Sequence, residues 1–331
     1  MGATTLRDGT IAVGDERLLR VLFFTRNGKP IASLGRRGGG PGEFQTLMWM
    51  GQCGGDTLSV FDPAQARVTR VDAKGKLVGV RPAMPPGPVG YSQSMGPVPY
   101  ILGCGRRGAF AVVGWPHQLP PTRPGPHRST VSIRVAREVA SEYKSLGTFA
   151  GPERYRFPKS DGPRPFGKTV LVALSENRVF VGTADSFYVE MYDLDGVKKG
   201  SIRREIALKR FRAPDKAFYL GDIIRPLATA AEKQRIRQAV DEMEFPEYLP
   251  AYGHFVVDAM NRLWIEEAYA AADASRQWWA FAEDGTAISS LRTPAQFEMY
   301  EINESYVLGK WTSRDGEESV RSYALVRMSG T

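Results

Sequence analysis

Three histidines and two cysteines are all that this chain of 331 residues offers to a soft or borderline metal ion. Cys53 and Cys104 are too few for a thiolate zinc cage or a multi-bridge disulfide framework. No run approaches the ~18 consecutive apolar residues of a membrane helix. Strong charge of one sign is also lacking. Lys+Arg 44 against Asp+Glu 36 leaves +8, and the cations fall in scattered doublets: Arg36-Arg37, Arg106-Arg107, Lys198-Lys199 and Arg203-Arg204. Without a basic stripe interleaved with aromatics, a nucleic-acid groove is not expected, and the doublets read as solvated surface. The opening MGATTLRDGTIAV has no basic segment followed by an apolar stretch, so no signal peptide is read there. No G-x-S-x-G nucleophile motif occurs.

What is abundant is turn chemistry. Gly 35 and Pro 23 accompany 42% hydrophobic residues, enough for a sizeable core punctuated by turns rather than built on long helices. Six times a turn precedes a short apolar or alternating strand, starting at Thr10, Thr57, Ala109, Arg178, Arg262 and Ser305. A second turn is locked to the first. Gly28, Gly75 and Gly196 each lie 18 residues after their strand start, and Gly285 lies 23 after Arg262, with AAADAS supplying the extra length. The unit is therefore a four-stranded antiparallel meander, and the starts stand 47, 52, 69, 84 and 43 residues apart.

The longer gaps hold insertions. One is the Pro-rich stretch Trp115–His127, expected as a surface loop carrying His117 and His127. The other is one short helix near 229–244. Thr229 and Glu232 form a capping box, Ile236, Val240 and Met243 mark an apolar stripe, and Pro246 and Pro250 end it. Six such units predict an all-β, six-bladed β-propeller of four-stranded antiparallel blades, one domain over 1–331. The last unit shows strands near 297–302, 306–311 and 319–327 only, while Ala3–Leu6 already serve the first unit. Its fourth strand is expected from residues upstream of Met1 in a longer parent, which would have room for a signal peptide as well.

The segment Arg7–Phe44, RDGTIAVGDERLLRVLFFTRNGKPIASLGRRGGGPGEF, resembles an NHL-type propeller repeat, most specifically at GGGPGEF. Residues 54–80 resemble the same repeat without that last loop. LPAYGHFVVDAMNRLWIEE and YVLGKW resemble the last blades of bacterial six-bladed propeller proteins of unassigned function. The likeness covers residues 3–82 and 250–328; the third blade is placed by order alone. On the residues themselves, Gly38, Gly39, Gly40, Pro41, Gly42, Glu43 and Phe44 form a blade-linking loop. Its glycines allow positive φ, Pro41 fixes a turn, Glu43 accepts backbone N–H groups and Phe44 plugs the space between blades. No Lys-Ser/Thr follows it, so it is not a phosphate loop.

Placed on this architecture, Cys53 and Cys104 end the innermost strands of neighbouring blades at the same end of the ring. A disulfide and two separately buried thiols both remain open, and the disulfide would imply a periplasmic or extracellular parent. The doublets Arg36-Arg37 and Arg106-Arg107 fall at opposite ends, so they form no single anion patch. Some NHL-type propellers bind RNA on a basic face, which leaves RNA as a third reading.

Related propellers also include metal-dependent lyases and lactonases with an ion on the axis. Here His254, at the start of a blade-five strand, is the one histidine near it, and is expected as a packed or rim residue. The acids Asp15, Glu16, Asp62, Asp185, Glu266 and Glu267 recur at second-strand ends and are expected as solvated turns. Trp264, Trp278 and Trp279 are expected in packing, with the adjacent pair facing opposite ways. The function expected is a non-catalytic, monomeric binding scaffold without cofactor, engaging a protein, peptide or glycan at one face. The alternative is a metal-dependent hydrolase or lyase holding calcium or zinc in the central channel.

Overall fold

The computed structural model describes residues 2–53, 55–82, 100–105, 108–114, 121–136, 143–158, 160–224, 229–313 and 315–326. Its strands form six antiparallel sheets in chain order. Sheet one runs Ala3–Thr5, Ile11–Asp15, Arg20–Phe24 and Pro30–Leu34; sheet two runs Trp49–Gln52, Leu58–Asp62, Arg67–Val71 and Leu77–Pro82. Sheet four comprises Leu171–Leu174, Val179–Gly182, Tyr188–Tyr192 and Lys198–Arg203, and sheet five Tyr252–Val257, Leu263–Glu267, Ser275–Phe281 and Ala287–Pro294. The turn spacing has a direct structural cause. Gly28, Gly75, Gly196 and Gly285 sit at φ of 78°, 76°, 86° and 89°, the left-handed region that a side chain disfavours. At Gly75 and Gly196 the residue three before the glycine is an Asp (Asp72, Asp193) whose carboxylate accepts backbone N–H groups across the turn, and at Gly285 the preceding Asp284 accepts from Thr286 N.

Two sheets depart from four strands. Sheet three has five: Tyr100–Cys104, Phe110–Gly114, Gly125–Ala136, Lys144–Arg156 and Asp161–Pro163. Its two long central strands pair as an extended hairpin, so His127 lies on a strand rather than in a Pro-rich surface loop. Its Nε2 stands 2.6 Å from Asp161 Oδ1, and Arg154 holds the other carboxylate oxygen. The loop reading fails only for its last residues, 125–127, because Pro126 sits near the start of a strand, where the missing N–H is tolerated; residues 115–120 lie outside the described residues. His117 lies outside the described residues, as do Arg106 and Arg107. Sheet six has three strands among the described residues, Phe297–Ile302, Tyr306–Thr312 and Glu318–Ala324.

The helical insertion is also larger than expected. Ala213–Ile224 precedes Ala230–Asp241, where the expectation had only the second. The capping box at Thr229 and Glu232 is present as read. The first helix carries Pro214 and Asp215 in its opening turn, a start signal that its Gly221 and irregular apolar spacing obscured. Asp215 is buried, accepting from Arg212 N at 2.8 Å and from Ala271 N at 2.7 Å, which ties the helix to sheet five. Phe211 stacks on Phe245 with centroids 4.7 Å apart, and Phe166 and Tyr219 pack on the same rings. This aromatic knot joins the helices to the segment after sheet three.

The core is not one mass but a set of separate clusters, each between consecutive sheets. Leu6, Val21, Phe23 and Phe44 meet Leu58 and Val60 between sheets one and two, and Val256, Trp264 and Trp278 meet Phe297 and Met299 between five and six. The last cluster joins Ala3 and Val13 of sheet one to Leu308 of sheet six. The first strands likewise neighbour one another: Ala3–Thr5 beside Trp49–Gln52 and beside Phe297–Ile302, with sheets three, four and five in between in order. This is a propeller-like arrangement.

Between sheets six and one, Glu301 is the principal polar clasp. Its carboxylate accepts from Thr4 Oγ1 at 3.0 Å, Thr5 N at 2.7 Å and Tyr306 Oη at 2.8 Å. Glu301→Ala leaves these donors without their anionic acceptor, and about 2 kcal/mol of stability is expected to go. Urea unfolding of wild type and Glu301→Ala checks this; Glu301→Gln, which keeps one acceptor oxygen, should recover part of the loss.

Candidate functional site

In an up-and-down meander the first-to-second and third-to-fourth strand turns fall at one end of each sheet. The second-to-third turns and the connectors between sheets fall at the other. The Cys53–Cys104 disulfide lies at the hairpin end and joins sheets two and three, with Cα atoms 5.5 Å apart. The Gly38–Phe44 loop and both helices lie at the connector end.

In the loop, Glu43 accepts from Gly40 N at 2.8 Å and from Arg36 Nε at 2.8 Å. The Gly40 backbone bond and Arg36 hold its carboxyl below the usual range. Arg67, from sheet two, donates to the carbonyl oxygens of Gly39, Gly40 and Glu43, and Phe44 is fully buried between sheets one and two. Every strong group here is turned toward the protein itself.

Of the second-strand acids, two are not solvated. Asp62 is fully buried, caps the short helix Pro63–Gln65, and accepts from Gln45 N at 2.7 Å and Thr46 Oγ1 at 2.7 Å. Burial pushes its carboxyl upward, but these donors and Gln65 outweigh burial and hold it below the ordinary carboxylate range. A depressed folded pKa gives stability that is full above the unfolded value of ~3.9 and is lost as pH falls through the folded value. Wild type is therefore expected to lose more of its thermal midpoint between about pH 4 and pH 2 than Asp62→Asn does. Equal acid sensitivity in the two would remove Asp62 as a source. Glu266 is the other buried acid. Asp185 is exposed but engaged by Arg128 at 2.8 Å and Lys168 at 3.2 Å, and Glu267 accepts from Trp279 Nε1 at 2.6 Å.

At the connector end, sheets five and six bring together a set of ionisable side chains. His254 pairs across the ladder with Glu266, and Glu266 with Trp278. Arg276 Nη1 donates to Glu266 at 3.0 Å, Nη2 to Tyr269 Oη at 3.1 Å and Nε to Ala295 O at 2.9 Å. Lys310 bridges Glu298 and Glu318, both at 3.1 Å. Burial pushes Glu266 up against the opposing pull of Arg276, and burial pushes His254 down, so its imidazole is neutral near pH 7. His254 packs on Trp278, with centroids 5.8 Å apart. Asp222 of the first helix contributes to the field at Tyr269. Among the described residues no three of His, Cys, Asp and Glu are grouped to hold a metal ion. The cations and anions in this set instead neutralise one another, which suits an ordered wall.

Sequence reasoning found His254 and Glu266 but not their partners. Arg276, Glu298 and Lys310 sit in strands with no motif, and only the pairing of sheets five and six assembles them. Trp278 and Trp279 face opposite ways: Trp278 is fully buried toward sheet six, and Trp279 packs toward sheet four. The doublet Arg203-Arg204 is not simply solvated. Arg204 lies over the Trp279 ring with 3.5 Å between guanidinium carbon and centroid, and Arg203 over Tyr188 at 5.3 Å.

These sheets define a β-propeller-like protein. No protein-family model and no curated protein matches the sequence. Among solved structures it is similar to a member of the DUF4221 family from Bacteroides vulgatus, at 9% identity over 96% of this chain and 90% of that one, with TM-score 0.49. It is similar to virginiamycin B lyase from Staphylococcus aureus at 9% identity, over 98% and 94% of the two chains, with TM-score 0.44. BamB from Moraxella catarrhalis aligns at 11% identity over 96% and 83%, with TM-score 0.34. Likenesses of this degree carry no substrate, partner or mechanism to this chain. No helix among the described residues is long and apolar enough to cross a membrane.

Proposed function

We propose that this chain is a single-domain, six-bladed, NHL-like propeller that works as a non-catalytic binding scaffold. Its partner is a protein, peptide or glycan engaged at the connector end of the ring. The observation that carries this is the contrast within that end. The ionisable groups between sheets five and six are bonded to one another, whereas Leu18, Met48 and Phe218 stand 54%, 55% and 55% exposed on loops and a helix elsewhere at that end. The neighbour order of the first strands supports six blades, with sheet six one strand short among the described residues. The disulfide supports residence in an oxidising compartment, periplasmic or extracellular.

The alternative is a metal-dependent hydrolase or lyase, and His254 beside Glu266 is the feature that favours it. Metal analysis of protein desalted without chelator separates the two. The scaffold predicts no stoichiometric metal, and a partner that binds wild type but not a Leu18→Ser/Met48→Ser variant of unchanged thermal midpoint. About one calcium or zinc per chain, removable with loss of stability, would replace the scaffold by the enzyme.

A further inference from the structure

Beside sheet four at the connector end lies an open cleft of about 480 Å³. Its walls are Phe187, Tyr188, Ile206 and Leu208, and two arginines, Arg203 and Arg204, line it. Asp185 and Glu205 also border it, and Asp185 is already neutralised by Arg128 and Lys168.

The two arginines are held unusually for surface residues. Arg203 ends the outer strand of sheet four opposite Tyr188, over whose ring it lies. Arg204 follows, its backbone N–H donating to Phe187 O at 3.0 Å, and its guanidinium stacks on Trp279 of sheet five. That indole is itself fixed, because Nε1 donates to Glu267. Ring stacking occupies the face of a guanidinium and leaves its in-plane N–H donors free. Among the described residues neither arginine has a carboxylate within ion-pair distance, and the buried Nε of Arg204 has no acceptor at all. A buried donor without an acceptor is costly, and a planar fork already oriented by packing loses little freedom when it takes a carboxylate.

We infer that this cleft binds an acidic peptide segment, its carboxylate on the Arg204 fork with Arg203 alongside, and an adjacent bulky apolar side chain against Tyr188, Ile206 and Leu208. Apolar walls with a few fixed polar groups suit such mixed chemistry, and paired arginines are a recurrent means of reading acidic motifs. The inference rests on the binding-scaffold reading and gives that scaffold a partner class.

The test uses the full chain and an array of nine-residue peptides in which Asp or Glu precedes Leu, Ile or Phe, beside the same peptides with Asn or Gln. Acidic members should bind, and amide replacement or Arg204→Gln should each weaken binding about tenfold or more, the order expected for losing a charge-assisted contact. Arg204→Lys should recover only part, since it keeps charge but not the fork. An unchanged thermal midpoint in Arg204→Gln shows that the fold is intact. Equal binding of acidic and amide peptides, indifference to Arg204→Gln, or no binding by any peptide overturns the site. Competition by inorganic phosphate regardless of peptide sequence would reduce it to an anion site and overturn the peptide assignment. Peptides that bind independently of Arg204 but fail on Leu18→Ser/Met48→Ser would remove the cleft and keep the scaffold. Stoichiometric metal would remove the scaffold itself.

Discussion

Replacing Cys53 and Cys104 together by Ala is expected to cost about 4 kcal/mol, among the largest effects of any change in the molecule. The bridge closes a loop with a sequence separation of 51, and cross-linking a loop of that order removes much of the entropy of the unfolded chain. It also joins the sheet pair with a small cluster between them, in which the buried residues are Cys53, Phe61, Val68 and Phe110, with Trp49 and Cys104 half-buried. Little apolar area is there to hold sheets two and three once the bond is gone. Urea unfolding of wild type with and without reductant, and of the double variant, gives the number. A midpoint that ignores both changes would mean that sheets two and three hold together without the bond. Alkylation of the unfolded, unreduced protein should label no thiol.

Gly309→Ala is the second large effect. Gly309 lies in the middle strand of sheet six, opposite Met299 on one side and Arg321 on the other. A Cβ there would stand 2.2 Å from the carbonyl oxygen of Glu298 and 2.6 Å from Cζ of Phe297, a fully buried ring. The nearest obstacle is backbone, so no rotamer change relieves it; the first two strands of sheet six must separate or shift. The irregular register between Met299 and Glu301 lies beside this close approach. A loss of about 3 kcal/mol is expected, the upper part of the range for overpacking. Gly79→Ala is the control, since a Cβ at that outer-strand position meets nothing within 4 Å. It should fall within ~0.5 kcal/mol of wild type. If the two substitutions cost the same, steric conflict is not what selects glycine at 309.

The two effects differ in how they could be read beforehand. Cys53 and Cys104 stand at equivalent points of a repeat, so counting turns was enough to bring them to one end of neighbouring units. Their pairing needed the distance between strands. Gly309 carries no such mark, because the atoms it must avoid come from the partner strand. The second helix announced itself through Thr229 and Glu232, a local hydrogen-bond exchange over three residues. The first did not, because Gly221 and irregular apolar spacing masked its Pro214–Asp215 start, and its tie to the fold, Asp215 to Ala271, spans 56 positions. His127 was misplaced for a related reason: composition made the segment a loop, and pairing with a long opposing strand made it a strand.

The sequence by itself determined the rhythm of the repeating turns, their positive-φ glycines and the cap of the second helix, since all of these depend on residues a few positions apart. Only the tertiary structure decided which charges are buried and with what partner. Asp62, Glu266, Glu301 and Arg204 look alike in the chain as surface ions at strand ends. Packing of neighbouring sheets makes the first an anchor for a loop, the second the counter-ion of Arg276 and the third a clasp between the last sheet and the first. It leaves the fourth stacked on an indole with no acid of its own. Desolvation and hydrogen-bond geometry act over a few ångströms of space, and between packed sheets those ångströms separate residues tens to hundreds of positions apart.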